Sequence, residues 1–252
     1  RCEFLAPDME LTVAERYSLG LNANKNDVKV RNNRFVNWGT SMVFGGSGTL
    51  VVGNHWFQSD STTNGIRSAG LVLVGTNPKT AITGNYIDNN VIEWTNEYSA
   101  DPTLASGWTF GGLSITGNIF TAINVASWFS WISVKPYGSG HYLHGLNVAH
   151  NVFRVLNGTI TRVEKIDTSY AALNTGWYRA VTFESNIFHN ITSPAISPVM
   201  LEHTQSSAQT VWTVNAAAFM PFEGAARNLE GMVMEGMVTN ASGARVTEFP
   251  YV

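Results

Sequence analysis

The stretches ITGNYI (82–87) and ITGNIF (115–120) decide the fold of this chain, because they belong to a motif that recurs along most of it. The motif is an apolar residue, two variable residues, Asn, one variable residue and a second apolar residue. Its other copies are VRNNRF (30–35), VVGNHW (51–56), VAHNVF (148–153) and FESNIF (183–188). A repeat of this length is typical of a solenoid, in which each unit buries its apolar face against its neighbours.

The local period inside each unit is two, which indicates strands. Leu113 and Ile115 alternate with polar neighbours, as do Leu146 and Val148. Asn suits the bend that follows, because it tolerates the left-handed backbone conformation and its side chain can bond nearby backbone. Asn stacked on Asn in successive coils can also form an amide ladder. The sequence therefore predicts a column of stacked side chains, formed by Asn33, Asn54, Asn85, Asn118, Asn151 and Asn186.

The pattern predicts an all-β fold, a right-handed parallel β-helix solenoid with a short C-terminal β extension. Helical repeats fit poorly, because they need long amphipathic stretches, and the best helix candidate, residues 9–18, lies outside the repeat. The motif stops after Pro198. We therefore expect residues 1–200 to form the solenoid and residues 201–252 to form a β cap or an oligomerisation segment, since an open solenoid end exposes strand edges and core.

Successive motif Asn residues are 21, 31, 33, 33 and 35 residues apart. The shortest spacing approximates one bare coil, so the longer ones must carry excursions. We place these at residues 58–69, 93–110, 124–145 and 157–180. Loops on a rigid scaffold are where function usually lies, and equivalent insertions on parallel coils should stack into one wall.

The segment YSLGLNANKNDVKVRNNRF (17–35) resembles a coil of the pectate-lyase-like right-handed β-helix superfamily, and the resemblance covers roughly residues 17–195. This superfamily includes polysaccharide lyases, glycoside hydrolases and phage tail-spikes. The resemblance implies a polysaccharide ligand and an extracellular, cell-surface or virion location. Tail-spikes are commonly trimers, so it also implies a homotrimer. It carries over no catalytic residue.

Composition narrows the choice of partner. The net charge is −3 and only 13% of residues are charged, without a basic tract, so nucleic acid is disfavoured as a partner. No apolar run approaches 18 residues, and a membrane span is not predicted. The single Cys2 has no second cysteine with which to form an internal disulfide.

Three carboxylates are candidates for catalysis. Glu97 and Asp101 lie in the second excursion and Asp167 in the last. Sugar hydrolysis commonly uses one carboxyl group as acid and another as base or nucleophile. We expect Glu97 or Asp101 to be the acid and Asp167 its partner, with crowding raising the carboxyl pKa values. The alternative is that all three are solvated loop residues.

Aromatic and cationic residues of the same excursions are candidates for substrate binding. Aromatic rings stack on the apolar faces of sugar rings, and a cation offsets a substrate carboxylate. The candidates are Trp94, Tyr98, Trp108, Trp128, Trp131, Lys135, Tyr137 and Trp177. The alternative is that these tryptophans pack on the wall of the solenoid.

The remaining motifs predict no cofactor and no metal. His141 and His144 are three residues apart, which in a strand directs them to opposite faces and disfavours a metal pair. GGSG (45–48) is not followed by the Lys and Ser/Thr of a P-loop. Two functions therefore stay open. One is polysaccharide binding with cleavage, by a hydrolase or a lyase. The other is a non-catalytic receptor-binding or structural module.

Overall fold

The structure is a computed structural model that describes residues 1–6, 18–58, 69–99, 102–104, 108–126 and 128–248. Nineteen strands are present in these residues, and every ladder between them is parallel. The chain visits three sheets in a fixed order and then starts the next coil. This architecture is a parallel β-helix, so the predicted all-β solenoid is confirmed. None of the helical turns in the described part of the chain is long and apolar enough to cross a membrane.

Sheet A follows the motif Asn in each coil after the first, and β1 is the corresponding strand of the first coil. Its strands are β1 (Glu3–Leu5), β4 (Arg34–Val36), β7 (His55–Phe57), β10 (Tyr86–Asp88), β13 (Ile119–Asn124), β16 (Val152–Asn157) and β19 (Ile187–His189).

Sheet B comes next along each coil. Its strands are β2 (Leu19–Ala23), β5 (Thr40–Phe44), β8 (Ala69–Leu73), β11 (Val91–Thr95), β14 (Ile132–Lys135) and β17 (Glu164–Ile166).

Sheet C precedes the motif Asn. Its strands are β3 (Lys29–Arg31), β6 (Leu50–Val52), β9 (Thr80–Thr83), β12 (Phe110–Thr116), β15 (Leu143–Ala149) and β18 (Arg179–Glu184).

The motif Asn side chains form a continuous ladder between sheets C and A. Oδ1 of Asn118 accepts the backbone N–H and the side-chain Nδ2 of Asn85, each at 2.9 Å. Nδ2 of Asn118 also donates to the carbonyl of Ile82 on the preceding coil. The same pattern runs from Asn33 to Asn186, and the N–H of Cys2 donates to Asn33 at 2.9 Å. These groups are mostly buried. The ladder therefore supplies hydrogen-bond partners to backbone groups that would otherwise have none where each coil turns from sheet C to sheet A.

The left-handed residue at this corner is not the Asn, as the sequence suggested, but the residue before it. Gly84 and Gly117 have φ of 64° and 65°, and His150 has φ of 56° in the next coil. The residue before the Asn therefore adopts the left-handed conformation, which glycine does most easily. The Asn itself forms the amide ladder.

The core is the predicted pair of stacked columns. The motif's first apolar position is buried in every coil, from Val30 to Phe183. In the second column Phe120 and Phe153 stack with ring centroids 4.6 Å apart, and Phe153 stacks on Phe188 at 5.7 Å. Phe188 is only half-buried, because it belongs to the last coil.

The C-terminal part closes the open end with a plug rather than with a sheet. Two 3-10 turns, Ala217–Phe219 and Pro221–Glu223, deliver Phe222 into the core beside Phe183, with ring centroids 5.9 Å apart. Within the described residues 199–248, β structure is limited to one isolated antiparallel bridge, Thr239–Arg245. In these residues the expected C-terminal β extension therefore amounts to this bridge.

A buried ion pair holds the plug. Arg162 donates through Nε to Oε1 of Glu164 at 2.8 Å, and its other nitrogens donate to the carbonyls of Ala218 and Met220, both at 2.6 Å. Oε1 of Glu164 also accepts the N–H of Phe222 at 3.2 Å. The division at residue 200 stays a prediction. The helix candidate at 9–18 and the excursion at 58–69 lie almost entirely outside the described residues.

Candidate functional site

Three connections from sheet B to sheet C, on consecutive coils, build the candidate site. They are residues 96–109, 136–142 and 167–178, called here the stacked loops. The expected excursions are too wide, because β14, β17 and the last three residues of β11 lie inside them. These strands pair in register, so the loops leave the sheet at neighbouring positions.

Specific contacts join one stacked loop to the next. Oδ1 of Asn96 accepts the N–H of Tyr137 at 2.8 Å, and the N–H of Asn174 donates to the carbonyl of His141 at 2.7 Å. A Cβ on Gly138 would lie 2.1 Å from the carbonyl oxygen of Pro102, so glycine allows the first two loops to touch. The predicted wall of stacked insertions is therefore present in the described part of these loops.

Two of the predicted substrate-binding residues lie inside the solenoid instead. Trp94, on β11, is fully buried, and its Nε1 donates to the carbonyl of Gly75 at 2.7 Å. Trp131, just before β14, is fully buried beside Phe153, with ring centroids 5.5 Å apart. Both expectations of a ligand-facing ring are wrong, because each tryptophan points to the inner face of sheet B.

The other aromatic candidates are accessible to different degrees. Tyr98, Trp108 and Trp177 are exposed by 74%, 71% and 58%, which leaves their rings free to meet a ligand. Trp128 is half-buried. Its carbonyl accepts Nζ of Lys165 at 2.6 Å, and that ammonium group lies 5.9 Å from the Trp128 ring.

The sharpest concentration of polar groups is a set that we call the Lys135 cluster. It consists of Glu97, Lys135, Tyr137, Asp167 and Tyr170. The rings of Tyr137 and Tyr170 stack with centroids 4.2 Å apart. Nζ of Lys135 lies 5.6 Å from the first ring and 5.1 Å from the second, within cation–π range. Val134 on β14 pairs in register with Ile166 on β17. Lys135 and Asp167 are the residues that directly follow this pair.

The cluster has a defined charge state. Burial, a hydrogen bond with Tyr170 and the nearby Glu97 carboxylate raise the pKa of Tyr137, so its phenol stays protonated. Partial burial opposes ionisation of Asp167. Hydrogen bonds from Ser169 and the charges of Lys135 and Lys165 outweigh it and lower the pKa of Asp167. The expected rise of carboxyl pKa values by crowding is therefore wrong for Asp167, which is ionised at neutral pH.

The three catalytic candidates have different outcomes. Glu97 is exposed at the start of the first stacked loop and reaches Tyr137, while Asp167 reaches Lys135 from the third. Glu97 and Asp167 therefore belong to the same cluster although they are 70 positions apart in the sequence. Asp101 lies outside the described residues. A fourth carboxylate on the same coil, Glu93, is buried within β11 beside Ser133.

The two histidines face different environments. His141 is buried, and its Nε2 lies 2.8 Å from the carbonyl oxygen of Pro102, whereas His144 is exposed on β15. Over the described ranges, no group of three or more His, Cys, Asp or Glu side chains could hold a metal ion.

Sequence reasoning passed over Tyr170 as a site residue. Its signal was available, because Tyr170 follows Asp167 in the third loop much as Tyr137 follows Lys135 in the second. The sequence does not show where β14 and β17 end, and those ends are what make Tyr137 and Tyr170 equivalent positions.

The fold and the Lys135 cluster together define a parallel β-helix protein with a polar, aromatic surface on consecutive coils. No family model matches the chain, and neither the curated proteins nor the solved structures contain a match.

Proposed function

We propose that this protein binds a polysaccharide at the Lys135 cluster and cleaves it there, as a glycoside hydrolase or polysaccharide lyase of the pectate-lyase-like type. The observation that supports the proposal is the stack of Tyr137 and Tyr170 over Lys135, flanked by Glu97 and Asp167. It combines aromatic surface, a cation and two carboxylates on one rigid wall. These are the groups with which proteins hold sugars and act on them.

Binding follows from the chemistry of these groups. The exposed ring of Tyr98 offers a flat apolar surface to a sugar ring. Lys135 offers a positive charge to an acidic substituent, and the protonated Tyr137 phenol can donate a hydrogen bond. The loop contacts through Asn96 hold these residues in place before any ligand arrives, which lowers the entropic cost of binding.

Cleavage requires a proton donor and an ionised partner. In our proposal Glu97 or Asp101 protonates the departing glycosidic oxygen, and Asp167 is the ionised partner. In a hydrolase, Asp167 either takes a proton from the water that attacks the anomeric carbon or bonds that carbon itself until water releases the sugar. In a lyase, Asp167 takes the proton from the carbon next to the sugar carboxylate, and a double bond forms as the glycosidic oxygen leaves. The lowered pKa of Asp167 fits the role of ionised partner.

One observation favours the alternative, a non-catalytic receptor-binding or structural module. Oδ1 of Asp167 already accepts the N–H and the hydroxyl of Ser169, and two lysines surround the carboxylate. An anion engaged in this way can serve to position Lys135 rather than to react. In either case we propose an extracellular, cell-surface or virion location.

A screen of bacterial and plant polysaccharides for released reducing or unsaturated ends tests the proposal, together with a binding measurement on each polymer. Glu97→Gln, Asp101→Asn and Asp167→Asn are then assayed separately, and Tyr170→Ala tests the aromatic stack. Glu230→Gln, an exposed carboxylate of the C-terminal part, is the matched control.

We expect Tyr170→Ala to weaken binding and at least one carboxylate variant to lose turnover while binding persists. Full turnover in all three carboxylate variants would place the chemistry elsewhere. A polysaccharide that binds without being cleaved would leave the non-catalytic module as the function.

A further inference from the structure

The last strand of sheet B is held at the open end of the solenoid by the C-terminal plug. β17 is three residues long and pairs in the sheet with β14 on one side. Beyond it, Oε1 of Glu164 accepts the N–H of Phe222 at 3.2 Å. Arg162, two residues earlier, donates to the plug carbonyls of Ala218 and Met220. Within the described residues, the plug therefore takes the place that a further strand would have above β17.

β17 leads directly into the Lys135 cluster. Asp167 follows the strand, and its N–H continues the ladder by donating to the carbonyl of Val134 at 2.8 Å. Tyr170 is exposed three residues further on, and its ring stacks on that of Tyr137. The positions of Asp167 and Tyr170 beside Lys135 therefore depend on the pairing of β17.

The plug also contacts the other end of the third stacked loop. A Cβ on Gly224 would lie 2.8 Å from Cδ2 of the buried Tyr178, so glycine lets the chain pack closely on that ring as it leaves the plug. Arg227 then donates to the carbonyl of Gly176. The third loop is thus held by the plug through Glu164 before its start and through Tyr178 at its end.

The plug is strained and has few other contacts to hold it. Phe222 has φ of 52° and ψ of 31°, and Glu223 has φ of 54°, a left-handed conformation that bulky residues seldom adopt. Such backbone persists only where surrounding contacts impose it, and it is common in switch regions. Oε2 of Glu164 is buried, and no described atom bonds it. The flanking residues 201–216 and 225–248 are mostly exposed.

We propose that the plug is a releasable device that positions the Lys135 cluster. While Phe222 is seated in the core, β17 stays paired and the cluster is assembled. When the plug leaves the core, β17 loosens, and Asp167 and Tyr170 move away from Lys135. Phe222 is therefore a positioning residue. The plug acts on the geometry of the cluster whether or not a polysaccharide binds there.

Two variants shift the plug in opposite directions and test this coupling. Phe222→Ala removes the buried ring and should favour release. Glu223→Gly removes a left-handed residue whose side chain is exposed, and it should favour the seated plug. Phe219→Ala is the matched control, because its ring is exposed in the neighbouring turn of the plug. Circular dichroism checks that each variant is folded.

Both measurements are made without a ligand. Hydrogen exchange with mass spectrometry follows the plug at residues 217–224 and the strand and loop at residues 164–172. The rate at which acetic anhydride acetylates Lys135 follows the cluster itself, with the exposed Lys79 as internal reference. A plug that merely closes the solenoid would change exchange at residues 217–224 alone.

We expect Phe222→Ala to exchange about tenfold faster in both segments and to acetylate Lys135 about threefold faster relative to Lys79. Glu223→Gly should slow exchange in both segments about threefold, because glycine adopts the left-handed conformation without strain. Phe219→Ala should stay within about twofold of the wild type in every measurement.

Faster exchange of the plug in Phe222→Ala, with residues 164–172 and Lys135 unchanged, would overturn the proposal. Unchanged exchange of both segments in both variants would do the same. If Phe222→Ala exchanges faster throughout the solenoid, Glu223→Gly decides: a slower plug without slower exchange at residues 164–172, or no change in either, contradicts the coupling. Failure to find a polysaccharide ligand would count against the proposed function and leave the coupling standing.

Discussion

Oδ1 of Asn151 accepts two hydrogen bonds from Asn118, one from its backbone N–H at 2.9 Å and one from its side-chain Nδ2 at 3.0 Å. One oxygen thus satisfies a main-chain and a side-chain donor of the preceding coil. Both residues are buried, so water cannot replace the bonds if one side chain is removed.

We therefore expect Asn118→Ala to lower the free energy of unfolding by about 2–5 kcal/mol, because several buried donors and acceptors would lose their partners. Asn157→Ala is the matched control, since Asn157 also bonds an Asn of the neighbouring coil, at Asn124, but on the surface. It should cost less than about 1 kcal/mol. Urea denaturation measures both, and equal losses would contradict the role of the buried ladder.

Phe153→Ala should cost about 3–5 kcal/mol, because its ring is fully buried between Phe120 and Phe188. Phe188→Ala should cost less, since Phe188 is half-buried in the last coil. The same denaturation experiment compares them. A loss below about 1 kcal/mol for Phe153→Ala would show that the site collapses around the missing ring.

Removing the plug should loosen the C-terminal part without unfolding the solenoid. Phe222→Ala deletes a buried ring that contacts Phe183, and we expect protease cleavage within 199–248 to become faster than in the wild type. Phe219→Ala is the control, because Phe219 is exposed by 44% in the neighbouring turn. Limited proteolysis with mass spectrometry reads the cleavage sites. Unchanged cleavage in Phe222→Ala would mean that the Arg162–Glu164 pair suffices to hold the plug.

His55 should make the stability depend on pH. Its burial, and the charge of Arg34 on the neighbouring strand, lower the pKa of His55 below 6.5, and Tyr86 and Asp88 lie on the same face of sheet A. The unfolded chain then binds this proton more readily than the folded one. The contribution of neutral His55 is therefore present above about pH 6.5 and is lost as the pH falls below it.

Because His55 is half exposed, solvent screening keeps this contribution small. His55→Gln should lose less stability than the wild type between about pH 7.5 and 5.5. His144→Gln, a change at an exposed histidine, should behave like the wild type. Identical slopes for all three proteins in urea denaturation would rule out this contribution.

We expect a homotrimer in solution. The described C-terminal part exposes large apolar side chains, among them Met200, Val211, Leu229, Val233 and Met237, which a neighbouring copy could cover. Light scattering should give three times the 27.5 kDa of one chain. A monomer at micromolar concentration would contradict this prediction.

The repeating parts of the fold were predictable because they are set by local rules. An apolar residue three positions before each Asn and another two positions after it suffice to place the core columns. The sequence predicted the left-handed conformation at the Asn, one residue too late. Asn and Gly both tolerate this conformation, so residue type alone does not show which of the two adopts it.

The site was harder to predict because it depends on which side of a strand faces inward. In β11 the residues Val91–Thr95 are all buried, so alternation does not reveal that Trp94 points into the core. The same holds for Trp131, which precedes β14 directly. The Lys135 cluster joins residues of three coils, and only the register of sheet B brings Glu97 and Asp167 to it.

The spacing of the ladder bears on how such a chain changes length over evolution. Asn85, Asn118 and Asn151 are separated by 33 residues each. Each Asn donates through its N–H and its Nδ2 to the Asn of the next coil, and its Oδ1 accepts the same two bonds from the Asn of the preceding coil. Duplicating or deleting one such unit leaves each remaining Asn facing another Asn. The protein can therefore become longer or shorter by whole coils of ~4.8 Å. Only its two ends, where strand edges and core would be exposed, need a different structure to cover them.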